Sequence, residues 1–277
     1  MTEGDRWQQV IERIAPGAML ASAEAMDGGI SADMTLLKLT QPDGVSKQVV
    51  VRRPGARVLQ RESNATSNQF ATLRAARAVG LPTPAPLALE TSPELLGSPY
   101  LVLDFIAGEP DLNPTDLDVF CAQLAAQLAA IHSADRSKVD LSHLPSHPNA
   151  CPERERPASP PDPDPEPESE AGLRAVLQLD WPANTVNQAV LLHGDYWRGN
   201  VLWRDGQVTA VIDWEDDALG DPLADLANAR LELRWSFGRH AMQALTNHYR
   251  SHMPIDYTNL PDWDLCAALH LVRHRND

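Results

Sequence analysis

The stretch Leu191 to Asp213, LLHGDYWRGNVLWRDGQVTAVID, constrains this 277-residue chain more than any other. Apolar Val190-Leu191-Leu192 leads into His193-Gly194-Asp195, and Asn200 follows Asp195 by five positions. Val201-Leu202-Trp203 has strand character, Asp205-Gly206 is hairpin-turn chemistry, and Val208 to Ile212 returns as a second strand. Such a hairpin carries Asp213 back beside Asn200, so the sequence predicts a loop aspartate, an asparagine and a strand-end aspartate in one place. Phosphoryl transfer needs that set. One carboxylate orients or deprotonates the acceptor, while an amide oxygen and a second carboxylate hold Mg²⁺ against the phosphates. Asp195 is the expected catalytic residue, with Asn200 and Asp213 the expected metal ligands.

Around this block the chain divides by composition. Residues 5–14 place Trp7, Val10, Ile11 and Ile14 at helical spacing. Met34 to Thr40 and Val49-Val50-Val51 flank the turn Pro42-Asp43-Gly44 and predict a hairpin. Residues 66–79 read as a helix ended by Gly80 and Pro82, and Tyr100 to Ile106 as a buried strand. From Thr115 onward the pattern is helical, with a further helix over Leu265 to Val272. Strands first and helices afterwards imply two lobes joined near residues 103–110. Residues 152–170 hold seven acidic and two basic side chains among prolines, and predict an extended, mobile insert.

The formal net charge of −15 argues against non-specific nucleic-acid binding and gives a mild preference for a cationic partner. No apolar run is long enough to span a bilayer, and the acidic N-terminus lacks a secretory pattern. A cytoplasmic location without membrane attachment is therefore expected. The three cysteines show no metal-ligand spacing.

The motifs His193-Gly194-Asp195-x4-Asn200 and Ile212-Asp213-Trp214-Glu215, followed by Gly220-Asp221-Pro222 and Ala224-Asp225-Leu226-Ala227, resemble those of the aminoglycoside phosphotransferase family. Weaker resemblance runs from about Gly28 to Trp263. It implies an α+β, two-lobed protein-kinase-like fold, with an N-terminal antiparallel-sheet lobe and a mainly helical C-terminal lobe. Residues 1–103 would be the nucleotide-binding lobe, 104–110 the hinge, and 111–277 the C-lobe carrying the catalytic loop. The implied activity moves the γ-phosphoryl of ATP or GTP to a hydroxyl of a small molecule, with Mg²⁺. Within that scheme His193 reads as a loop-holding residue and Asp221 and Asp225 as scaffold, the first beside a turn and the second bonding backbone. Glu215, Asp216 and Asp217 read as solvated acids.

The nucleotide side is less distinct. From the residues alone Gly28-Gly29-Ile30-Ser31 suits an ordinary turn as well as a phosphate loop; the resemblance favours the loop, with Gly28, Gly29 and Ser31 on phosphate. Arg52, at the end of Val49-Val50-Val51, stands where kinases place a phosphate-binding lysine, with Arg53 the alternative if the register differs by one. The resemblance further assigns adenine contacts to backbone near Asp104 and Ile106, and the side chain behind the base to Leu103. One departure concerns the helix after Arg52: counting back from Gly80-Leu81-Pro82 puts Gln69 where the family carries a glutamate. A clamp without that charge leaves open a second reading, a non-catalytic nucleotide-binding module. Trp235, Tyr257 and Trp263 suit either an acceptor pocket or packing, and the resemblance implies more helical C-lobe than the five residues that follow Val272.

Overall fold

The computed structural model describes residues 2–26, 31–147 and 186–274. Gly28, Gly29 and the acidic insert 152–170 lie outside the described residues. The chain divides into two compact units: Met1–Gly108 with Val139–His143 and Thr209–Ile212, and Glu109–Lys138 with Leu144–Val208 and Asp213–Asp277.

The first unit opens with helix α1 (Glu3–Ile14), whose start is fixed by a reciprocal box: Asp5 N–H donates to the Thr2 hydroxyl, and Thr2 N–H to the Asp5 carboxylate. Strands β1 (Met19–Met26), β2 (Ala32–Thr40) and β3 (Ser46–Pro54) follow, then α2 (Ala56–Arg61), α3 (Ala65–Ala78), β4 (Pro86–Glu90) and β5 (Tyr100–Asp104). Their antiparallel sheet has the order β1-β2-β3-β5-β4. Alternation along β3 sorts the two faces. Val49 and Val51 join Leu37, Leu39, Tyr100 and Val102 in a core closed by Trp7, Val10 and Ile11 of α1. Burial of a side chain of this size contributes about 1.5–3 kcal/mol, so α1 is pinned mainly by its apolar stripe. Val50 and Arg52 take the other face, where Leu103 and Leu101 stand opposite them on β5. The buried side of α3 is largely polar, with Thr66, Gln69 and Thr72 beside Leu73, Ala75 and Ala76.

The second unit contains strand β6 (Glu109–Pro110), helix α4 (Leu117–His132), short strands β7 (Ser146–His147) and β8 (Val190–Leu192), β9 (Val201–Arg204), β10 (Gln207–Val211), β11 (Ala218–Gly220), and helices α5 (Leu223–His252) and α6 (Leu260–His274). The end of β10 counts with the first unit, where Val211 N–H donates to the Pro82 carbonyl at 2.7 Å. Asp116 caps α4 by accepting from the N–H groups of Asp118 and Val119. Its apolar side, Phe120, Cys121, Leu124, Leu128 and Ile131, forms a core with α5, and α6 packs on α5 in turn. The turn Asp205-Gly206 has both φ angles positive (52° and 73°), as a two-residue hairpin connection requires. Helix α5 is interrupted at Gly238 (φ 83°, ψ −174°). Helix α6 begins five residues before the expected Leu265, because Pro261 sits in its first turn, where a missing N–H does no harm. Among the described residues no helix is long and apolar enough to cross a membrane.

Candidate active site

Strand β8 delivers the chain to His193-Gly194-Asp195, and a single 3-10 turn, Arg198–Asn200, returns it to β9. The turn brings Asn200 back onto Asp195: Asn200 Nδ2 donates to the Asp195 carbonyl at 2.9 Å and to its Oδ2 at 3.0 Å. Both donors of the Asn200 amide therefore face Asp195, which leaves the Oδ1 carbonyl as its oxygen for any other ligand. From α5, Asn228 Nδ2 approaches the other carboxylate oxygen of Asp195 at 3.4 Å. Asp195 itself is half-buried, whereas Asn200 is buried.

The loop is held from below by one carboxylate. Asp225, in the first turn of α5, accepts the His193 N–H at 2.7 Å on Oδ2 and the Gly194 N–H at 2.9 Å on Oδ1. His132 Nε2 lies 3.2 Å from Asp225 Oδ2, and His132 Nδ1 lies 2.6 Å from the Tyr249 hydroxyl. Burial alone would raise the Asp225 carboxyl, but the hydrogen bond and charge of His132 and the His193 N–H outweigh it and hold the group below its usual range. His193 is fully buried, against Trp214 (ring centroids 4.7 Å apart) and Tyr196 (6.0 Å), and its Nδ1 accepts the Asp195 N–H at 3.3 Å. These contacts make His193 a support for the loop. Gly194 (φ 85°) passes so close to Asp216 that a Cβ would lie 1.8 Å from that residue's carbonyl oxygen. Asp221 accepts from Leu223 N–H and Asn187, and burial raises its carboxyl. Of the three acids after Trp214, Asp217 is buried rather than solvated, which the local sequence did not indicate.

Asp213 follows β10 in a left-handed conformation, φ 63°. Outside glycine that region is favoured only by Asn and Asp, and strained backbone of this kind concentrates at functional positions. Asp213 and Asn200 offer a carboxylate and an amide carbonyl, hard oxygen donors suited to Mg²⁺ rather than to a softer metal. Among the described residues no cluster of three His, Cys, Asp or Glu could hold a metal ion.

In the first unit the structure brings together Arg52, Gln69 and Ser31. Arg52 is buried; its Nη1 donates to Gln69 Oε1 at 2.8 Å and its Nη2 approaches the Ser31 hydroxyl at 3.4 Å. Arg53 points to the opposite face, to Asp33 Oδ2 and the Leu96 carbonyl, both at 3.2 Å. Register thus separates the two arginines. Glu62, an alternative acid for the clamp, is exposed and accepts from Asn68. Leu103 is buried on the Arg52 face of β5. The Asp104 N–H is taken by the Ala85 carbonyl at 2.8 Å, so a base contact there would use the Asp104 carbonyl; Ile106 is half-buried beyond the strand. Asn228 and Glu232 had no motif to announce them: α5 brings them to the loop from more than thirty residues away.

Known proteins carry the same architecture. A crystal structure of a putative aminoglycoside phosphotransferase from Ralstonia eutropha matches with a TM-score of 0.71, covering 98% of this chain and 86% of that one at 18% identity. A macrolide 2′-phosphotransferase type I matches with a TM-score of 0.70 at 17% identity, over 100% and 92% of the two chains. A thermostable mutant of aminoglycoside phosphotransferase APH(4)-Ia, solved with AMP-PNP and hygromycin B, matches with a TM-score of 0.69 at 19% identity over 98% and 92% of the two chains. These likenesses show the fold: α+β and kinase-like, with an antiparallel sheet in the first unit and a mainly helical second unit. By sequence, acyl-CoA dehydrogenase family member 11 of Rattus norvegicus is 25% identical over 81% of this chain but 32% of its own length. The human protein of that name is 24% identical over 82% and 32%. The chain thus spans about a third of the length of these curated relatives. A family model described as "Phosphotransferase enzyme family" matches residues 22–268, and the chain belongs to that family.

Proposed function

We propose that this chain transfers the γ-phosphoryl group of ATP or GTP to a hydroxyl of a small molecule, with Mg²⁺ as cofactor. The observation that carries the reading is Asp195 held by Asn200, which donates to its backbone carbonyl at 2.9 Å and to its carboxylate at 3.0 Å, on a loop tied down by Asp225. In this scheme Asp195 accepts or orients the proton of the attacking hydroxyl, and its fixed geometry contributes through positioning. Arg52, steadied by Gln69 and Ser31, faces the phosphates as a permanent, multi-donor cation. Gly28 and Gly29 would add backbone N–H groups, and Leu103, Asp104 and Ile106 the surroundings of the base. Asn200 Oδ1 and the Asp213 carboxylate would hold Mg²⁺, which when bound neutralises charge developing on the transferred group.

Gln69 supports a second reading, a nucleotide-binding module without turnover, since the Arg52 clamp lacks a carboxylate. ADP release over a broad panel of hydroxyl acceptors, with ATP and with GTP, separates the two. Because the sequence relatives are named acyl-CoA dehydrogenases, hydroxylated acyl thioesters belong in that panel beside amino sugars and simple amino-alcohols. Turnover that vanishes in Asp195→Asn supports the transferase. Nucleotide binding without turnover on any acceptor supports the module. A melting temperature unmoved by nucleotide plus Mg²⁺ removes both, because saturation at about 100 times Kd adds about 2.7 kcal/mol to stability.

A further inference from the structure

Of the three aromatic residues that suit either a pocket or packing, two pack. Trp263 is buried, and the Tyr257 hydroxyl donates to the Met253 carbonyl while Arg250 covers its ring at 4.6 Å. Trp235 differs: 74% of it is exposed, the largest value among the exposed large apolar side chains of the described residues. Its place on α5 gives that exposure a direction. Seven residues is nearly two full helical turns, so Trp235 lies within about 20° of Asn228 on the same face, about 10 Å further along the axis. Asn228 touches the Asp195 carboxylate. Glu232 falls between them, four residues beyond Asn228. At the far end Ser236, next to Trp235, accepts from Arg198 Nε at 3.2 Å, and Arg198 Nη1 donates to the carbonyl of Leu112 at 3.1 Å. Leu112 is itself 48% exposed. The loop thus meets α5 twice, Asp195 at Asn228 and Arg198 at Ser236, the second contact about two turns along and roughly 80° around the axis from the first; the exposed Trp235 and Leu112 are the chain neighbours of that second contact.

We propose that Glu232 and Trp235 select the acceptor, an amphipathic alcohol whose hydroxyl meets Asp195, whose ammonium or second hydroxyl meets Glu232, and whose apolar end lies on Trp235. This rests on the phosphotransferase reading for the role of Asp195. The Glu232 side chain makes no hydrogen bond with another described residue, and it lies within the fields of Arg198 and Asp195; burial, opposed by Arg198 and reinforced by Asp195, raises its carboxyl. A donor from the acceptor would supply its missing partner. An exposed indole beside a half-buried carboxyl suits a molecule with a polar head and an apolar end better than a uniformly polar sugar.

N-alkylethanolamines from ethyl to decyl are the probe, measured by ADP release with Mg²⁺ and ATP and, separately, by calorimetric binding to the whole chain. In the wild type, kcat/KM and affinity should rise at least about tenfold from ethyl to octyl, as burial of apolar surface requires. Trp235→Ala, at an exposed position that leaves the fold intact, should remove most of that rise. Glu232→Gln should weaken every member about tenfold while keeping the dependence on length. Binding that ignores chain length, a length dependence unchanged in Trp235→Ala, or no binding of any member overturns the inference. Length-dependent binding lost in Trp235→Ala but without ADP release in the wild type upholds the acceptor surface and overturns the transferase reading. ADP release with amino sugars but no response to the alkyl series does the reverse.

Discussion

At the scale of single residues, Asp213 is the most exacting position. Its left-handed backbone suits Asn nearly as well as Asp, but strains alanine by about 1 kcal/mol or more. Asp213→Asn is therefore expected to melt within a degree or two of the wild type while lowering kcat/KM at least about a hundredfold. Asp213→Ala should lose both stability and turnover. Thermal melting beside ADP-release kinetics checks the pair, and equal melting temperatures for the two variants would contradict the backbone argument. Gly194 gives a harsher case, since any side chain there must displace the Asp216 carbonyl. Gly194→Ala should abolish turnover and lower the melting temperature even though no functional group is removed.

Single elements show why some of this could be read in advance. The loop from Asp195 to Asn200 is one short turn, so spacing along the chain fixes distance in space, and the five-residue interval announced the contact. Asp205-Gly206 and Pro42-Asp43-Gly44 announced their hairpins for a similar reason: turn geometry is set by the turn residues themselves. Arg52 and Gln69 were legible because strand alternation and a count back from a helix stop are local rules. Asn228 and Glu232 were not, because only the packing of α5 against the loop gives them a role. The start of α6 was missed for a different reason, a proline that looks like a stop and is tolerated in a first turn. The buried Arg52–Gln69 pair yields its own test. Gln69→Leu removes one acceptor from a buried guanidinium and should cost about 1–3 kcal/mol. Gln69→Glu restores a charge and should lower the KM for nucleotide. Helix α4 offers another. Burial, with Asp118 nearby, pushes the Cys121 thiol up to about 11. Iodoacetamide at pH 8 should leave Cys121 unmodified in the native protein and label it in urea, as peptide mass mapping would show.

For the whole molecule, acid stability is the informative measurement. The Asp225 carboxyl is depressed in the folded state from its ordinary 3.8. Its stabilising contribution is present above that value and is lost as the pH falls through the lower folded one. Asp221, raised by burial, acts in the opposite sense, opposing folding at neutral pH and relieved on protonation. The urea midpoint should therefore fall less steeply below about pH 4 in Asp225→Asn than in the wild type, and Asp225→Asn should already be weaker by about 2–4 kcal/mol at pH 7. A variant as stable as the wild type at pH 7 would mean that the loop does not depend on this tie.

Helix α5 performs its tasks in sequence along its length. Its first turn fastens the catalytic loop through Asp225, the next steadies Asp195 through Asn228, and the stretch ending at Trp235 faces outward before the break at Gly238. With Asp195 and Trp235 in the roles proposed above, chemistry and choice of substrate would be separable by one or two helical turns. Laboratory evolution confined to residues 231–237 could retarget the protein to new alcohols while residues 223–228 keep the machinery in register.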